Sequence, residues 1–245
     1  MKQFARTELL LGRAAMKILA ESKVAVFGLG GVGSFAAEAL ARSGIGHLVL
    51  VDHDLVSVTN INRQIHADHR TIGKSKVKVM GDRILDINPK AWVETFQLFY
   101  PGNNPEELVR AEYDYIVDAI DTVSSKIELI VHSKAKDIPI ISCMGTGNKL
   151  DPGQLKIADI YQTTVCPLAR IMRRELKKRG ISELTVVFST EKPLVPIKTA
   201  NSTGESEING CRTNRQVPGS IAFVPSAAGL LMASHVVRNL IRTPK

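Results

Sequence analysis

A glycine-rich turn constrains the fold more strongly than any other feature of this chain. The turn reads GLGGVG over residues 28–33, follows the apolar run 24–27 and opens a helical pattern over 32–43. Asp52 stands at the end of the next apolar run, nineteen residues after Gly33. In this context glycines let backbone N–H groups approach phosphates at a helix N-terminus, and the carboxylate accepts a hydrogen bond from a ribose hydroxyl. We therefore predict a nucleotide site at Gly28, Gly30, Gly31, Gly33 and Asp52, with NAD, FAD and ATP all open at this point.

Beyond this turn the chain alternates short β-branched runs with longer helical patterns. The predicted strands cover 24–27, 47–51, 92–96, 113–119 and 138–142, and the predicted helices cover 32–43, 74–87 and 124–136. Such alternation is what a parallel sheet with crossover helices requires. The pattern predicts an α/β fold, with a Rossmann-like, mostly parallel twisted sheet flanked by helices.

The pattern changes after Gly147, but no domain boundary is visible. We predict an outlying strand over 154–160, a basic helix over about 167–180, a strand over 186–189 and a C-terminal helix over about 226–242. Residues 190–219 are rich in Pro, Ser, Thr, Asn and Gly, and a loop that long within a domain is normally functional or disordered. We predict one domain over 1–245, with its core at about 4–165 and a mobile loop over about 190–219 that closes over substrate.

The charge balance of the chain favours polyanionic partners. Lys and Arg total 32 against 24 Asp and Glu, so the formal net charge is +8. The predicted basic helix has six cationic residues around Glu175, and a helix so charged can lie along RNA phosphates without reading sequence. A solvated surface helix is the other interpretation of the same segment. The candidate RNA-binding residues are Arg170, Arg173, Arg174, Lys177, Lys178 and Arg179.

Cysteine usage and hydropathy indicate where the protein acts. The three cysteines are Cys143, Cys166 and Cys211, and none of them belongs to a CxxC pair. We therefore expect no structural zinc, no disulfide framework and reduced thiols in the cytoplasm. No stretch is apolar for long enough to span a bilayer, so we expect no membrane association.

A second polar segment favours ATP over the other nucleotides. Asp52 and Asp54 precede the segment TNINRQ at 59–64, which contains Arg63, and Lys76 follows it. A nicotinamide site with a free ribose hydroxyl has no need of two cations just beyond the second strand. A triphosphate does need them, because pyrophosphate leaves with its negative charge.

Two aspartates end the fourth predicted strand, where α/β folds bind ligands. They are Asp118 and Asp121 in the segment DAIDT. Mg²⁺ prefers one or two carboxylates together with substrate oxygens, so Asp121 is the predicted magnesium ligand and Asp118 a further candidate for the nucleotide site. The alternative for either aspartate is an N-cap of the helix that follows.

These motifs together are recognisable. The segments GLGGVGS, LVDHDLVSVTNINRQ, GKSKV and DAIDT resemble the adenylating enzymes related to ubiquitin-activating enzyme, among them the bacterial ThiF and MoeB proteins. The resemblance implies ATP- and Mg²⁺-dependent adenylation of a carboxylate by a dimeric enzyme. It implies that Arg63, Lys76 and Asp121 are catalytic, and that Arg6 reaches the ATP site of the partner subunit. The positions that match the ATP and Mg²⁺ sites of these enzymes are Gly30, Gly31, Asp52, Asp54, Asn60, Arg63, Lys76 and Asp121.

Further segments resemble one branch of these enzymes, the tRNA threonylcarbamoyladenosine dehydratases. They cover residues 38–46, 62–67, 117–121, 167–169 and 187–191. The resemblance implies adenylation of the threonyl carboxylate of threonylcarbamoyladenosine, next to the tRNA anticodon. The neighbouring ureido group then attacks and expels AMP, leaving a cyclic nucleoside. A protein that assists by sulfur transfer and a bound monovalent cation both stay open.

Two other functions stay open at this stage. The first is activation of the C-terminus of a ubiquitin-like or sulfur-carrier protein, in which Cys166 or Cys211 accepts the acyl group. The missing CxxC pairs speak against it. The second is a nucleotide-binding scaffold or redox sensor that binds ATP without releasing pyrophosphate.

Overall fold

A seven-stranded sheet organises the molecule. The computed structural model describes residues 2–102, 105–197, 207–208, 211–212 and 218–242. The strands are β1 (Lys23–Phe27), β2 (His47–Val51), β3 (Trp92–Phe96), β4 (Tyr115–Asp118), β5 (Ile140–Cys143), β6 (Leu155–Asp159) and β7 (Thr185–Ser189). Their order across the sheet is β3-β2-β1-β4-β5-β7-β6. All neighbouring pairs are parallel except β6 with β7, which confirms the predicted mostly parallel sheet.

The strand order reverses between β1 and β4. From β1 the chain steps outward to β2 and β3, and then returns to the other side of β1 to form β4 and β5. Adjacent crossovers at such a point lie on opposite faces, so a crevice opens beyond the carboxyl ends of β1 and β4. The glycine-rich turn follows β1 and the DAIDT segment includes the end of β4, so both line this crevice.

Helices cover both faces of the sheet. They are α1 (Ala5–Glu21), α2 (Gly33–Ser43), α3 (Lys76–Ile87), α4 (Pro105–Leu108), α5 (Val123–Ala135), α6 (Pro167–Lys178) and α7 (Phe223–Leu240). One core holds buried residues of α2, α3 and α7, and the other holds buried residues of α5 and α6. Small residues such as Ala36, Ala37 and Ala233 let α2 and α7 pack closely. In the described part of the chain, no helix has the length and apolarity to cross a membrane.

Most predicted elements are present, with shifted ends. The fourth strand is shorter than predicted, the fifth begins two residues later, and the outlying strand is the antiparallel edge strand β6. The C-terminal helix begins at Phe223, and its first turn accommodates Pro225 because the N–H groups there have no helical acceptor. Two short strands, β8 (Glu207–Ile208) and β9 (Cys211–Arg212), pair within the predicted loop 190–219. Much of that loop lies outside the described residues, and its mobility stays a prediction.

Helix α1 was not among the predicted elements. Its backbone leaves helical geometry at Gly12, where φ is 80°. Leu9 and Leu10 are more than four-fifths exposed, so the apolar run that marks this segment does not follow the buried side of a helix. Both features hide the 3.6-residue period by which a helix is recognised in a sequence.

Candidate nucleotide site

A cavity of about 530 Å³ opens at the carboxyl ends of the strands, at the point where the strand order reverses. One wall comes from the glycine-rich turn and the segment after β2, and the other from the segments after β4 and β5. The lining residues include Gly28, Gly30, Gly31, Asp52, Asp54, Asn60, Arg63, Lys76 and Asp121. The structure therefore brings together most of the residues that the sequence predicts for the nucleotide.

Asp52 ties the glycine-rich turn to the segment after β2. Its Oδ2 atom accepts a hydrogen bond of 2.6 Å from the backbone N–H of Leu29, and its Oδ1 atom accepts one of 2.8 Å from Asp54. Asp52 is buried but lines the cavity. Its carboxylate therefore holds the turn in place, next to the position where a ribose hydroxyl is predicted.

Gly33 belongs to the scaffold of the turn and does not line the cavity. A Cβ atom added at this residue would lie 1.8 Å from the carbonyl oxygen of Gly28, a distance at which no side chain fits. Gly33 thus allows the start of α2 to pack against the end of β1, as the last glycine of such turns does. Gly30 is different, because a Cβ atom there would meet nothing within 4 Å.

Lys76 and Arg63 supply positive charge on one side of the cavity. Lys76 is buried, and its Nζ atom lies 2.6 Å from Oδ2 of Asp54, whose side chain is about half exposed. Arg63 is partly buried, which lowers its pKa from the usual value, although an arginine stays protonated. Its guanidinium donates 2.8 Å hydrogen bonds to the carbonyl oxygen of Thr59 and to Oδ1 of Asn62.

Asn60 fixes the short helical turn that carries Arg63. Its Oδ1 atom accepts a hydrogen bond from the backbone N–H of Ser57, while the Ser57 hydroxyl accepts one from Thr59. The backbone carbonyl of Asn60 accepts hydrogen bonds from the N–H groups of Arg63 and Gln64. These bonds fix the backbone of residues 57–64, and Asn60, Arg63 and Gln64 of this segment line the cavity.

The two aspartates after β4 have different environments. Asp121 is exposed and lines the cavity, and its carboxylate accepts a 3.4 Å hydrogen bond from the hydroxyl of Thr122. Asp118 is fully buried and does not line the cavity, and its predicted contact with the nucleotide stays a prediction. Neither aspartate is the N-cap of α5, because that position belongs to Thr122.

An exposed carboxylate at this place has the donor chemistry that Mg²⁺ requires. Mg²⁺ binds hard oxygen ligands and usually takes one or two carboxylates together with substrate phosphates. Asp52, His53 and Asp54 also offer ligand atoms within 4.8 Å of one another. Their carboxylates already bind Leu29, Asp54 and Lys76, so Asp121 is the better match.

The remaining predicted residues lie outside the cavity. Arg6 is exposed on the first turn of α1. Its predicted role at the ATP site of a partner subunit requires such an accessible side chain. On α6, Ala169, Met172 and Leu176 face the core. Most of the predicted RNA-binding side chains lie on the exposed face of α6, which is the arrangement expected for an electrostatic contact.

Not all of the cations on α6 have the same surroundings. Glu175 accepts hydrogen bonds from Lys178, Arg174 and Arg179, and these lower the pKa of its carboxyl to about 2. Arg173 donates to the carbonyl and the hydroxyl of Thr163. Arg170 and Lys177 are exposed on the outer face of the helix.

Sequence reasoning missed the far wall of the cavity. This wall consists of 145–147 and 218–220, and the lining residues Phe99, Tyr100 and Pro225 were not predicted either. Asn148 joins the two segments: its backbone N–H donates to Gly219, and its Oδ1 atom accepts from the N–H of Gly219. Its carbonyl also accepts a hydrogen bond from Leu194, so both ends of the segment 194–219 meet at Asn148. The backbone of Asn148 has a positive φ of 59°, and this local feature of the wall is not visible in the sequence.

Cys143 lines the cavity and Cys166 lies next to Gly145 of this wall, and both cysteines are buried. Burial raises the pKa of the Cys143 thiol to about 12. The Sγ atom of Cys166 lies 3.7 Å from the place that a side chain at Gly145 would occupy. The side chain of Cys211 falls outside the described residues.

Comparison with known proteins agrees with this geometry. The model of the ThiF family matches residues 4–245, which is nearly the whole chain. The chain belongs to the ThiF family. The predicted likeness to ThiF-type adenylating enzymes is thereby confirmed.

Within the ThiF family the chain is similar to several named enzymes. It is 45% identical to the tRNA threonylcarbamoyladenosine dehydratase of Bacillus subtilis, over 98% of this chain and 95% of that protein. It is also similar to the crystal structures of the Escherichia coli tRNA N6-threonylcarbamoyladenosine dehydratase in complex with ATP and with AMP. The sequence identity of this chain to that enzyme is 34%, and the TM-scores are 0.86 and 0.87. Each alignment covers 98% of this chain and 94% of the other.

Proposed function

We propose that this ThiF-family protein catalyses the ATP-dependent dehydration of threonylcarbamoyladenosine in tRNA. The observation that carries the proposal is the convergence of Gly30, Asp52, Arg63, Lys76 and Asp121 on one cavity at the strand-order reversal. The similarity to the Bacillus subtilis dehydratase over nearly the full length of both chains selects this reaction among those of the family.

The first step is adenylation. The threonyl carboxylate is ionised at neutral pH, so it attacks the α-phosphorus of ATP without a general base. A carboxylate oxygen forms a bond to phosphorus, and the bond from phosphorus to the pyrophosphate oxygen breaks. Arg63 and Lys76 stabilise the charge on the departing pyrophosphate, while the glycine-rich turn aligns the phosphates.

Asp121 is the residue that would hold Mg²⁺. When bound, this ion neutralises charge on the phosphate oxygens. Lys76 neutralises Asp54, and two backbone N–H groups donate to Asp52. Asp121 is exposed in the cavity, and its carboxylate accepts a hydrogen bond from the hydroxyl of Thr122 alone among the described residues. Asp118 does not take part in this contact, because it is fully buried.

The second step is cyclisation. The ureido group of the same nucleoside attacks the activated acyl carbon, and AMP leaves with one of the original carboxylate oxygens. The ureido group loses a proton, so the nucleoside loses the elements of one water. No enzyme thiol is needed for this internal attack, in agreement with the burial of Cys143 and Cys166.

The exposed face of α6 is the proposed tRNA-binding surface. Its cations are placed to contact phosphates, which give affinity that depends on salt rather than on base sequence. A homodimer in which Arg6 of one copy reaches the ATP site of the other is part of the same proposal. So is action in the cytoplasm, where tRNA is modified.

Mass spectrometry of nucleosides tests the proposed reaction directly. tRNA containing threonylcarbamoyladenosine is incubated with the protein, ATP and Mg²⁺, and its nucleosides are then analysed. We expect one water to be lost from that nucleoside only when ATP is present, with AMP and pyrophosphate as the other products. An unchanged nucleoside from protein that demonstrably binds ATP would contradict the proposal and direct the search to a carrier-protein substrate.

A further inference from the structure

A buried ion pair lies directly behind the segment that presents Asp121. The Nζ atom of Lys126 on α5 is 2.9 Å from Oδ2 of Asp118 at the end of β4, and both side chains are fully buried. The hydroxyl of Ser142 on β5 donates a 2.6 Å hydrogen bond to the same carboxylate oxygen. One helix and two strands therefore meet at this carboxylate.

The ion pair also holds the backbone of Ile120. The N–H of Ile120 donates to Oδ1 of Asp118 at 3.2 Å, and its carbonyl accepts a 3.0 Å hydrogen bond from the ammonium of Lys126. Ile120 immediately precedes Asp121, and both line the cavity. On the other side of Asp121, the carbonyl of Thr122 accepts the backbone N–H of Lys126. The same lysine thus contacts the chain on both sides of Asp121.

Stability alone does not account for a buried lysine here. Removing two charges from water is costly, and apolar residues of similar volume often replace a buried ion pair without loss of stability. What apolar residues cannot supply is the pair of hydrogen bonds that Asp118 and Lys126 make to Ile120. The charged pair therefore specifies the path of the backbone that leads into Asp121.

We propose that Lys126 is a positioning residue that acts through Asp118 and Ile120 to orient the Asp121 carboxylate towards metal-bound ATP. The inference rests on the proposed function only in so far as ATP and Mg²⁺ share this cavity. In this proposal Asp118, at the end of β4, holds the backbone of Ile120 and does not contact the nucleotide itself. Lys126 is fully buried and is not among the residues that line the cavity.

The paired variant Asp118→Leu with Lys126→Met tests this role, because it removes both charges and both bonds to Ile120 together. ATP binding is measured by calorimetry with and without Mg²⁺, alongside thermal unfolding. We expect ATP affinity without Mg²⁺ to stay within about twofold of wild type and the half-saturating Mg²⁺ concentration to rise about tenfold or more. The variant Asp121→Ala should show the same pattern.

Ser142→Ala is the milder second variant, which keeps the ion pair and removes one hydrogen bond. It should raise the half-saturating Mg²⁺ concentration about two- to fivefold, a difference of up to about 1 kcal/mol. The control is Glu94→Leu with Arg110→Met, which removes a partly exposed 2.8 Å ion pair whose members do not line the cavity. The control should leave the Mg²⁺ dependence unchanged.

The outcomes separate this inference from the proposed function. If folded Ser142→Ala protein keeps the wild-type Mg²⁺ dependence, or if ATP affinity falls equally with and without Mg²⁺ in the paired variant, the positioning role is wrong. Both readouts are binding measurements, so they hold whether or not the wild type dehydrates threonylcarbamoyladenosine. A wild type that binds ATP with Mg²⁺ but leaves the nucleoside unchanged contradicts the proposed function alone.

Discussion

The ammonium of Lys76 is buried while its partner, the carboxylate of Asp54, is about half exposed, and 2.6 Å separates the two groups. The lysine therefore cannot swing into solvent, whereas the aspartate stays accessible to a ligand in the cavity. This arrangement fixes one positive charge at the position proposed for the phosphates.

Replacing Lys76 with Met should abolish most of the turnover and leave the fold intact. The carboxylate of Asp54 is solvated after the change, so the free energy of unfolding should fall by about 1 kcal/mol or less. Release of pyrophosphate should slow by about 100-fold or more, because removal of one preorganised cation has a cost of that order. Lys78→Met, at an exposed site on the same helix, is the control. A Lys76→Met enzyme with more than a tenth of wild-type turnover would remove this residue from its role.

Alanine at two glycines of the turn should affect different properties, stability at one and ATP binding at the other. Gly33→Ala places a methyl group 1.8 Å from a backbone oxygen, so we expect a loss of about 3 kcal/mol or more in stability. Gly30→Ala meets nothing within 4 Å, so the fold should persist while the methyl group in the cavity weakens ATP binding. Thermal unfolding and calorimetric ATP titration distinguish the two. Equal stabilities for both variants would contradict the prediction.

Neutralising Arg170 and Lys177 together should weaken tRNA binding. For every phosphate that the variant no longer neutralises, the slope of log affinity against log salt should become shallower by about 0.7 to 0.9, depending on whether the RNA is paired at that point. Binding curves at several salt concentrations measure this slope. Lys17→Ala with Lys90→Ala makes the same change of charge at exposed sites elsewhere and should leave the slope closer to wild type. Equal slopes in the two double variants would place the RNA on another surface.

Acid should destabilise the protein through His66. This histidine is buried, and desolvation, followed by the charges of Lys76 and Arg83, lowers its pKa to about 4. In the unfolded chain His66 becomes protonated below about pH 6.5, whereas in the folded chain it stays neutral down to about pH 4. The free energy of unfolding therefore falls as pH decreases from about 6.5 to 4.

The full loss attributable to His66 is about 3 kcal/mol. Urea unfolding at pH 7 and pH 5 measures part of it, and His66→Leu should make the difference between the two values smaller. Both ring nitrogens lack a hydrogen-bond partner within the described residues, so leucine removes no bond. An unchanged pH dependence in that variant would assign the acid sensitivity to other groups.

Cys143 and Cys166 should be dispensable. Burial keeps Cys143 protonated, with its pKa raised to about 12, and a protonated thiol is a poor nucleophile. Cys143→Ala and Cys166→Ala should therefore retain turnover within a few-fold of wild type, and neither thiol should react quickly with alkylating reagents in the folded protein. Loss of turnover together with a trapped thioester would revive the carrier-protein alternative.

The nucleotide half of the site was predictable because its residues lie in short local patterns. The turn at 28–33, Asp52 and the segment around Arg63 each keep their meaning within a few residues of a strand end. The strand-end rule also led to Asp121 as the magnesium ligand, but it kept Asp118 as a further candidate and could not distinguish a buried aspartate from an exposed one. That distinction depends on Lys126 and Ser142, which only the packing of α5 and β5 brings to one carboxylate.

The far wall was not predictable for a related reason. Residues 145–147 and 218–220 are about seventy positions apart, and the hydrogen bonds of Asn148 that join them have no periodic signature. In the N-terminal segment, Gly12 interrupts the helical period of α1 and two leucines face outward. A helical period in the sequence indicates the side of a helix that is buried against a core. The break at Gly12 and the exposed leucines do not follow such a period.

Because Leu194 and Gly219 both bond to Asn148, the intervening segment begins and ends at one anchor. The entropy of closing such a loop grows only slowly with its length, at about 0.6 kcal/mol for each doubling. Residues can thus be inserted or deleted between the two attachment points without moving Gly219 or the cavity wall. The segment is therefore a place where the length of the chain can change while the cavity stays the same.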